Sequence, residues 1–353
     1  MMTTTETATT HGTSRGPWPL TLQDIPIRKP GAARTLKLRT RTEERPVGAE
    51  EVRIAVKFAG INFADIQMRL GFYPDAPPRP YVPGYEVSGL VDAVGSGVTA
   101  FRPGDAVVAG TYFGGYASSV TIPAFQVSRL PRHLDLAGGA AIPVNFFTAH
   151  LALVEMGRVR RGDRVLIECA TGGVGTLAIQ MARRAGAEVV GLTTSPHKKP
   201  YIEALGARAL TTEELDADAG EKGFDFILNA SGGRAVKRQM DRLAFTGRIV
   251  CIGLSSGVKD GRRSFFRIAR AALLTPRVPI LGLFDRNTGV YALNALKVLQ
   301  DPRWIARLTE RLADVEALEL VPHVGRVFPA AEVAAAHEFL QTRQAVGKVL
   351  LAW

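Results

Sequence analysis

The chain has 353 residues, enough for two domains of ordinary size, and its 46% hydrophobic and 22% charged content is that of a soluble globular protein. Two cysteines, Cys169 and Cys251, exclude a disulfide framework and a four-cysteine zinc lobe, and they fit a reducing, cytoplasmic setting. The net charge of +11 is spread out, with no long basic tract interleaved with aromatics, so phosphate-bearing small molecules are favoured over nucleic acid as partners.

Residues 1–18 are Thr-rich, without apolar periodicity or a hydrophobic signal core, and read as a disordered leader. No run of about 18 apolar residues exists, so no integral membrane span is expected. From Leu20 to Pro143 the chain is β-rich. Val52 to Phe58 alternates with period two, Gly84 to Val94 is a second strand region, and the turn Arg102-Pro103-Gly104-Asp105 leads into Ala106-Val107-Val108. Many short strands with Gly and Pro turns predict a compact, barrel-like domain. Around Asn145 to Glu155 the pattern becomes helical. Strands are then expected at Val165–Ala170, Glu188–Thr193, Phe224–Asn229 and Arg248–Gly253, with helices at Gly175–Ala185, His197–Leu205 and Arg234–Leu243. That alternation predicts a doubly wound, mainly parallel sheet with a further edge strand at Val278–Phe284. The tail has helical segments at Ile305–Leu312 and Ala331–Gln341 and ends in a strand, Gly347–Leu351, expected to return to the first domain.

The most informative stretch is Val165 to Gln180. An apolar strand runs through Ala170-Thr171-Gly172-Gly173-Val174-Gly175 into a helix marked by Leu177, Ala178, Met181 and Ala182. Glycines let a pyrophosphate approach the backbone, and free N–H groups with the helix dipole favour the anion. A dinucleotide is therefore expected here. An acid after the second strand would accept the ribose 2′-hydroxyl of NAD. This chain has Thr193-Thr194-Ser195-Pro196-His197-Lys198-Lys199 instead, so Thr194, Ser195, Lys198 and Lys199 favour a 2′-phosphate, and NADPH is preferred over NADH.

The chain resembles the zinc-independent branch of the medium-chain dehydrogenase/reductase superfamily: quinone oxidoreductases, enoyl-thioester reductases and vesicle-amine-transport-like proteins. The resemblance runs from about Leu36 to the C-terminus. It is carried by Gly60-Ile61-Asn62-Phe63-Ala64-Asp65, Gly71-Phe72-Tyr73-Pro74, Pro83 to Gly89, Gly104-Asp105-Ala106-Val107, Ala170 to Gly175 and Gly347-Lys348-Val349. Within that branch, the helix–loop VNFFTAH resembles the vesicle-amine-transport group. The implied fold is α/β, a GroES-like β-rich catalytic domain plus a Rossmann domain. The corresponding domain division is 19–146 with 290–353 for the former and 147–289 for the latter.

Several site residues follow from the resemblance. Where zinc-dependent relatives place their ligands, this chain has Asn62, Tyr85 and Val144, so no zinc is expected. Without a Lewis acid, reduction of an activated double bond is favoured over alcohol oxidation. Tyr73 matches the tyrosine that enoyl-thioester reductases use near the substrate carbonyl; Asn62 is a second donor, and Asp65 would orient Asn62 or the ribose. Core packing for Tyr73 and turn capping for Asn62 are the plainer readings. Cys251 to Leu254, including Gly253 and Leu254, and Leu281 to Phe284, including Leu283 and Phe284, would flank the nicotinamide. Asn229 and Lys348 complete the implied cofactor set. The basic stretch from Arg262 to Arg277 is read as a solvated face, as a border of the substrate entrance attracting coenzyme A phosphates, or as a membrane contact.

The function expected is an NADPH-dependent, metal-free reductase of an activated carbon–carbon double bond, foremost that of a short or branched enoyl-CoA. The alternatives are a quinone reductase and a nucleotide-binding regulatory protein with little catalysis. A homodimer through the expected edge strand 278–284 completes the reading.

Overall fold

A computed structural model of the chain describes residues 19–73, 75–217, 223–253, 273, 278 and 280–353. The expected leader, Leu254 and nearly all of the basic stretch lie outside the described residues.

The first domain contains β1 (Leu20–Asp24), β2 (Arg39–Glu43), β3 (Glu51–Ile61), β4 (Glu86–Val94), β5 (Ala106–Gly110), β6 (Ser119–Pro123) and β7 (Val127–Arg129). The alternating run from Val52 makes β3 its hub. Val52, Ile54 and Val56 are buried, and β3 pairs antiparallel with both β4 and β6. The helix α1 (Phe63–Leu70) follows β3 directly. Its start is set by Asp65, whose Oδ2 accepts the Asn62 N–H at 2.8 Å, and its end by Gly71 in the left-handed region. Short α2 (Leu136–Ala140) and α3 (Pro143–His150) carry the chain into the second domain.

There, strands β8 (Arg164–Glu168), β9 (Glu188–Thr193), β10 (Arg208–Thr211), β11 (Phe224–Asn229), β12 (Leu243–Cys251) and β13 (Gly289–Ala292) form one sheet. Its order is β10-β9-β8-β11-β12-β13, and every pairing is parallel. Val165, Leu166 and Ile167 of β8 are fully buried, as expected for a strand covered on both faces. The helix α4 (Gly173–Arg184) crosses back from β8 to β9. Strand order reverses between β8 and β11, so the crevice that binds ligands in such sheets opens beyond the C-terminal ends of these two strands.

The expected strand at Val278–Phe284 is corrected. Ile280–Arg286 is an α-helix, ended by Asn287 in the left-handed region, and the edge strand is Gly289–Ala292. A short apolar run does not distinguish strand from helix by periodicity. Here β-favouring Val290 and Tyr291, a few residues later, take the edge position beside Ile249 and Val250.

After β13, Leu299, Ile305, Leu308, Leu312 and Val315 pack into the core of the second domain, whereas Leu296 and Phe328 join that of the first. The stretch from Ala295 to Leu320 thus straddles the two units. The chain returns through β14 (Val324–Pro329) and β15 (Lys348–Ala352), and β15 pairs antiparallel with β3, Val349 opposite Ile61.

Candidate active site at the interdomain crevice

The turn between β8 and α4 has the features an anion requires. Gly172 caps α4, and the first backbone bond into the helix is from the Thr176 N–H to the Gly172 carbonyl. The N–H groups of Gly173, Val174 and Gly175 therefore have no partner within the helix. Close packing leaves no room for a side chain at Gly173 or Gly175. A Cβ on Gly173 would fall 2.5 Å from Asn145 Nδ2, and one on Gly175 would fall 2.8 Å from Ala170 Cα. Ala170 itself is fully buried and Thr171 nearly so. The residues present fit a dinucleotide pyrophosphate.

Two consecutive residues tie this turn to the first domain. Gly347 N–H donates to the Thr171 carbonyl at 2.7 Å, and Gly347 is bridged to Gly172. The next residue, Lys348, places its ammonium on Asn62 Oδ1 at 2.6 Å and pairs with Glu86. Glu86 also accepts the Asn62 Nδ2–H at 3.0 Å and the Val144 N–H at 2.8 Å. Gly347 and Lys348 thus link the predicted cofactor turn to the predicted catalytic Asn62.

Asp65 is buried behind Asn62. It accepts the Asn62 and Gly84 N–H groups, and its Oδ2 lies 3.2 Å from the Tyr116 hydroxyl. Burial pushes its pKa up to about 7 against these hydrogen bonds. Tyr116 in turn lies 3.1 Å from His337 Nε2, and burial holds that imidazole neutral, its pKa lowered to about 3. Asp65 thus orients the start of α1 and the Asn62 backbone. Sequence reasoning misses Tyr116 and His337, because nothing in their local sequence signals a partner so distant in the chain.

Tyr73 lies at the outer side of the crevice. Its hydroxyl donates weakly to Asn294 Oδ1 at 3.3 Å, and Asn294 Nδ2 donates to Asp75, which also pairs with Lys297 at 2.6 Å. Burial, reinforced by the negative charge of Asp75, pushes the Tyr73 pKa up to about 12, so the phenol remains a proton-bearing donor. Tyr81, Tyr85 and Tyr112 pack their rings around Phe113, with centroids 5.8, 5.4 and 4.7 Å away, and make an apolar wall near Tyr73.

The expected 2′-phosphate residues are not equivalent. Lys198 is buried, and its ammonium donates to the carbonyls of Arg343 and Ala345 at 2.6 and 2.8 Å, leaving one of its three protons for a ligand. Lys199 turns to Glu214, which accepts both its bonds at 2.9 Å. Thr194 is exposed and Ser195 half-buried at the end of β9. Asn229 is buried and bonded within the fold. It donates to Gln239 Oε1 at 2.8 Å and accepts the Gly232 N–H at 2.9 Å, so it shapes the turn after β11. Gly253 is exposed at the end of β12. Leu283 and Phe284 lie on the Ile280–Arg286 helix, where Phe284 is 75% exposed. A residue that sequence reasoning misses is Glu168. Its carboxylate accepts the N–H groups of Ala230 and Ser231 at 2.8 and 3.0 Å, and so pins β8 to β11 at the switch point. An acid ending an otherwise apolar strand is the available signal.

Two family models match the chain: Alcohol dehydrogenase GroES-like domain over residues 48–132, and Zinc-binding dehydrogenase over residues 173–296. The human synaptic vesicle membrane protein VAT-1 homolog is 30% identical over 324 residues, covering 90% of this chain and 82% of that protein. The chain belongs to the medium-chain dehydrogenase/reductase superfamily, in its zinc-independent branch. Among solved structures of this superfamily, Escherichia coli quinone oxidoreductase complexed with NADPH matches with a TM-score of 0.80 at 25% identity, covering 94% of this chain and all (100%) of that one. The CurK enoyl reductase matches with a TM-score of 0.76 at 26% identity, covering 94% and 99%.

Zinc does not fit this member of the superfamily. Of the three positions that the resemblance aligns with ligands, Val144 has no donor atom in its side chain, and the Tyr85 hydroxyl donates to Met68 sulfur at 2.8 Å. The Asn62 amide oxygen is held by the Lys348 ammonium, whose positive charge repels a divalent ion. Among the described residues no group of three or more His, Cys, Asp and Glu is arranged to hold a metal. No described helix is long and apolar enough to cross a membrane.

Proposed function

We propose that the protein is an NADPH-dependent reductase of an activated carbon–carbon double bond, with an enoyl thioester, a short or branched enoyl-CoA, as the substrate class. The reading rests on one observation: Gly347 and Lys348 join the glycine turn to Asn62, so a cofactor on the turn faces a polar pocket built without metal ligands. The likeness to the CurK enoyl reductase supports the acceptor class, and the likeness to an NADPH-complexed quinone oxidoreductase supports the cofactor.

NADPH, when bound, supplies the hydride. Addition of hydride to the β-carbon of an enoyl thioester drives the double-bond electrons onto the carbonyl oxygen, and the α-carbon then takes a proton. The Tyr73 hydroxyl and the remaining Asn62 Nδ2–H are the donors for that oxygen. The aromatic wall around Phe113 excludes water and receives the acyl chain. Replacing Tyr73 with Phe is expected to lower turnover about 10- to 100-fold with enoyl-CoA while leaving NADPH affinity within about twofold. Steady-state kinetics and a fluorescence titration with NADPH check this, and an unchanged rate would remove Tyr73 from the mechanism.

Lys198 discriminates between cofactors in this reading, through the ammonium proton not given to Arg343 and Ala345. Lys198→Ala is expected to raise KM for NADPH about 10- to 150-fold and that for NADH little, since a lost charge-assisted bond to phosphate costs about 1.5–3 kcal/mol. Equal effects on both cofactors would assign Lys198 to anchoring the return segment alone.

A quinone reductase is the second reading, favoured by the same NADPH-complexed neighbour. A panel of enoyl-CoAs and quinones, run with NADPH and NADH and with a chelator control, separates the two. Tight cofactor binding without turnover of any acceptor would favour a nucleotide-binding regulatory protein. The proposed assembly is a homodimer, tested by analytical ultracentrifugation; the interface expected along a strand at 278–284 falls with that strand, because Ile280–Arg286 is a helix. The proposed compartment is the cytoplasm, where free Cys169 and Cys251 stay reduced.

A further inference from the structure

We propose that Lys348 and Glu86 form a positioning pair that locks the Asn62 amide, so that it presents a hydrogen-bond donor, never its carbonyl oxygen, to the crevice. The kinetic part of this proposal rests on the reductase reading above.

An asparagine amide can present either end to a ligand, and its neighbours decide which. The two neighbours here are unambiguous. Lys348 carries an ammonium, which only donates, and it lies on Oδ1 at 2.6 Å. Glu86 carries a carboxylate, which only accepts when ionised, and it takes one Nδ2–H at 3.0 Å. A flipped amide would set its NH2 against the ammonium and its oxygen against the carboxylate, two repulsive contacts in place of two attractive ones. One Nδ2–H is left over, on a residue that is only half-buried.

The pair is itself held rigidly. Glu86 is fully buried and Lys348 is 4% exposed, so their attraction is little screened by water. The second carboxylate oxygen of Glu86 is fixed by the Val144 N–H at 2.8 Å. Gly60 leaves room for the carboxyl group, since a Cβ there would lie 2.7 Å from Glu86 Cδ. Four chain segments, β3 with the start of α1, the start of β4, the start of α3 and β15, therefore converge on one amide. A donor fixed in advance toward developing negative charge needs no reorganisation during reaction. The cofactor role that the resemblance implies for Lys348 is thereby corrected: its ammonium is taken up by Asn62 and Glu86, and the pair acts through Asn62.

Lys348→Met alone would leave a buried, unpaired carboxylate and is expected to misfold. The test is therefore the double variant Lys348→Met/Glu86→Gln, which removes both charges together. Thermal unfolding verifies that it is folded. Its NADPH affinity is expected to stay within about twofold of wild type, while kcat for crotonyl-CoA falls about tenfold or more and KM for NADPH is unchanged. An independent arm follows the Asn62 side-chain amide by NMR in the protein without substrate, with Asn62→Ala to assign it. Slow exchange of the Nδ2 protons with solvent is expected in wild type, and rapid exchange in the double variant. Equally slow exchange in both proteins overturns the proposal. So does a loosened amide with kcat unchanged, because its orientation would then serve no step. If wild-type protein reduces no acceptor, the reductase reading falls, and the orientation of Asn62 is decided by the NMR arm alone.

Discussion

Replacing Gly175 with alanine is expected to weaken NADPH binding by about tenfold or more and to destabilise the fold by about 1–3 kcal/mol, the usual cost of forcing a methyl group into packed structure. The reason is steric. The new Cβ would lie 2.8 Å from Ala170 Cα and 2.9 Å from its carbonyl carbon, both rigid backbone atoms. Relief requires α4 to move away from the end of β8. That movement shifts the Gly173, Val174 and Gly175 N–H groups and strains the Gly347 bond to Thr171. Cofactor affinity and the junction between the domains should therefore fail together. Isothermal titration with NADPH and thermal unfolding measure the two losses. A variant that binds NADPH as wild type does would remove the turn from the cofactor site.

The second large effect concerns pH, through the buried chain Asp65–Tyr116–His337. The folded pKa of Asp65, about 7, lies above its ordinary 3.8. Its stabilising contribution is complete below pH 3.8 and is lost as pH rises toward 7. The folded pKa of His337, about 3, lies below its ordinary 6.5, with Arg69 adding to the effect of burial. Its contribution has the opposite sign: present above pH 6.5, and lost as pH falls toward 3. Between about pH 4.5 and 6.5 the two slopes nearly cancel. Asp65→Asn removes one of them, so its stability relative to wild type is expected to rise by about 2 kcal/mol over that interval. His337→Gln removes the other, and its relative stability is expected to fall by a similar amount, about 2 kcal/mol. Urea unfolding at the two pH values reads both. Parallel pH profiles for wild type and both variants would show that neither group titrates in this way.

How much of this is legible in the sequence depends on the range of the interactions concerned. The strands Glu188–Thr193 and Phe224–Asn229 have their expected bounds, and the turn after β8 lies where the glycines place it, because each rests on local apolar runs and backbone freedom. The edge strand is misplaced from sequence because the apolar run ending at Phe284 carries too short a pattern, and pairing with β12 decides in favour of Gly289–Ala292. At the site, Asn62 and Tyr73 are found through their motifs, but their partners are not. Asn62 meets Lys348 across 286 positions, and Tyr73 meets Asn294 across 221. Lys199 reads as free to hold a phosphate until Glu214 is seen to be its partner.

By itself, then, the sequence determines the two-domain α/β plan and the dinucleotide turn, since each depends on residue type at short spacing; the replacement of zinc ligands by Asn62, Tyr85 and Val144 is what the family resemblance implies. Only the tertiary structure decides what those residues do together. β15 returns to pair with β3, and that pairing carries Gly347 to the glycine turn and Lys348 to Asn62. Side-chain direction and burial, which set whether a lysine holds a phosphate, a carbonyl or an amide, are consequences of that long-range pairing and have no local signature in the chain.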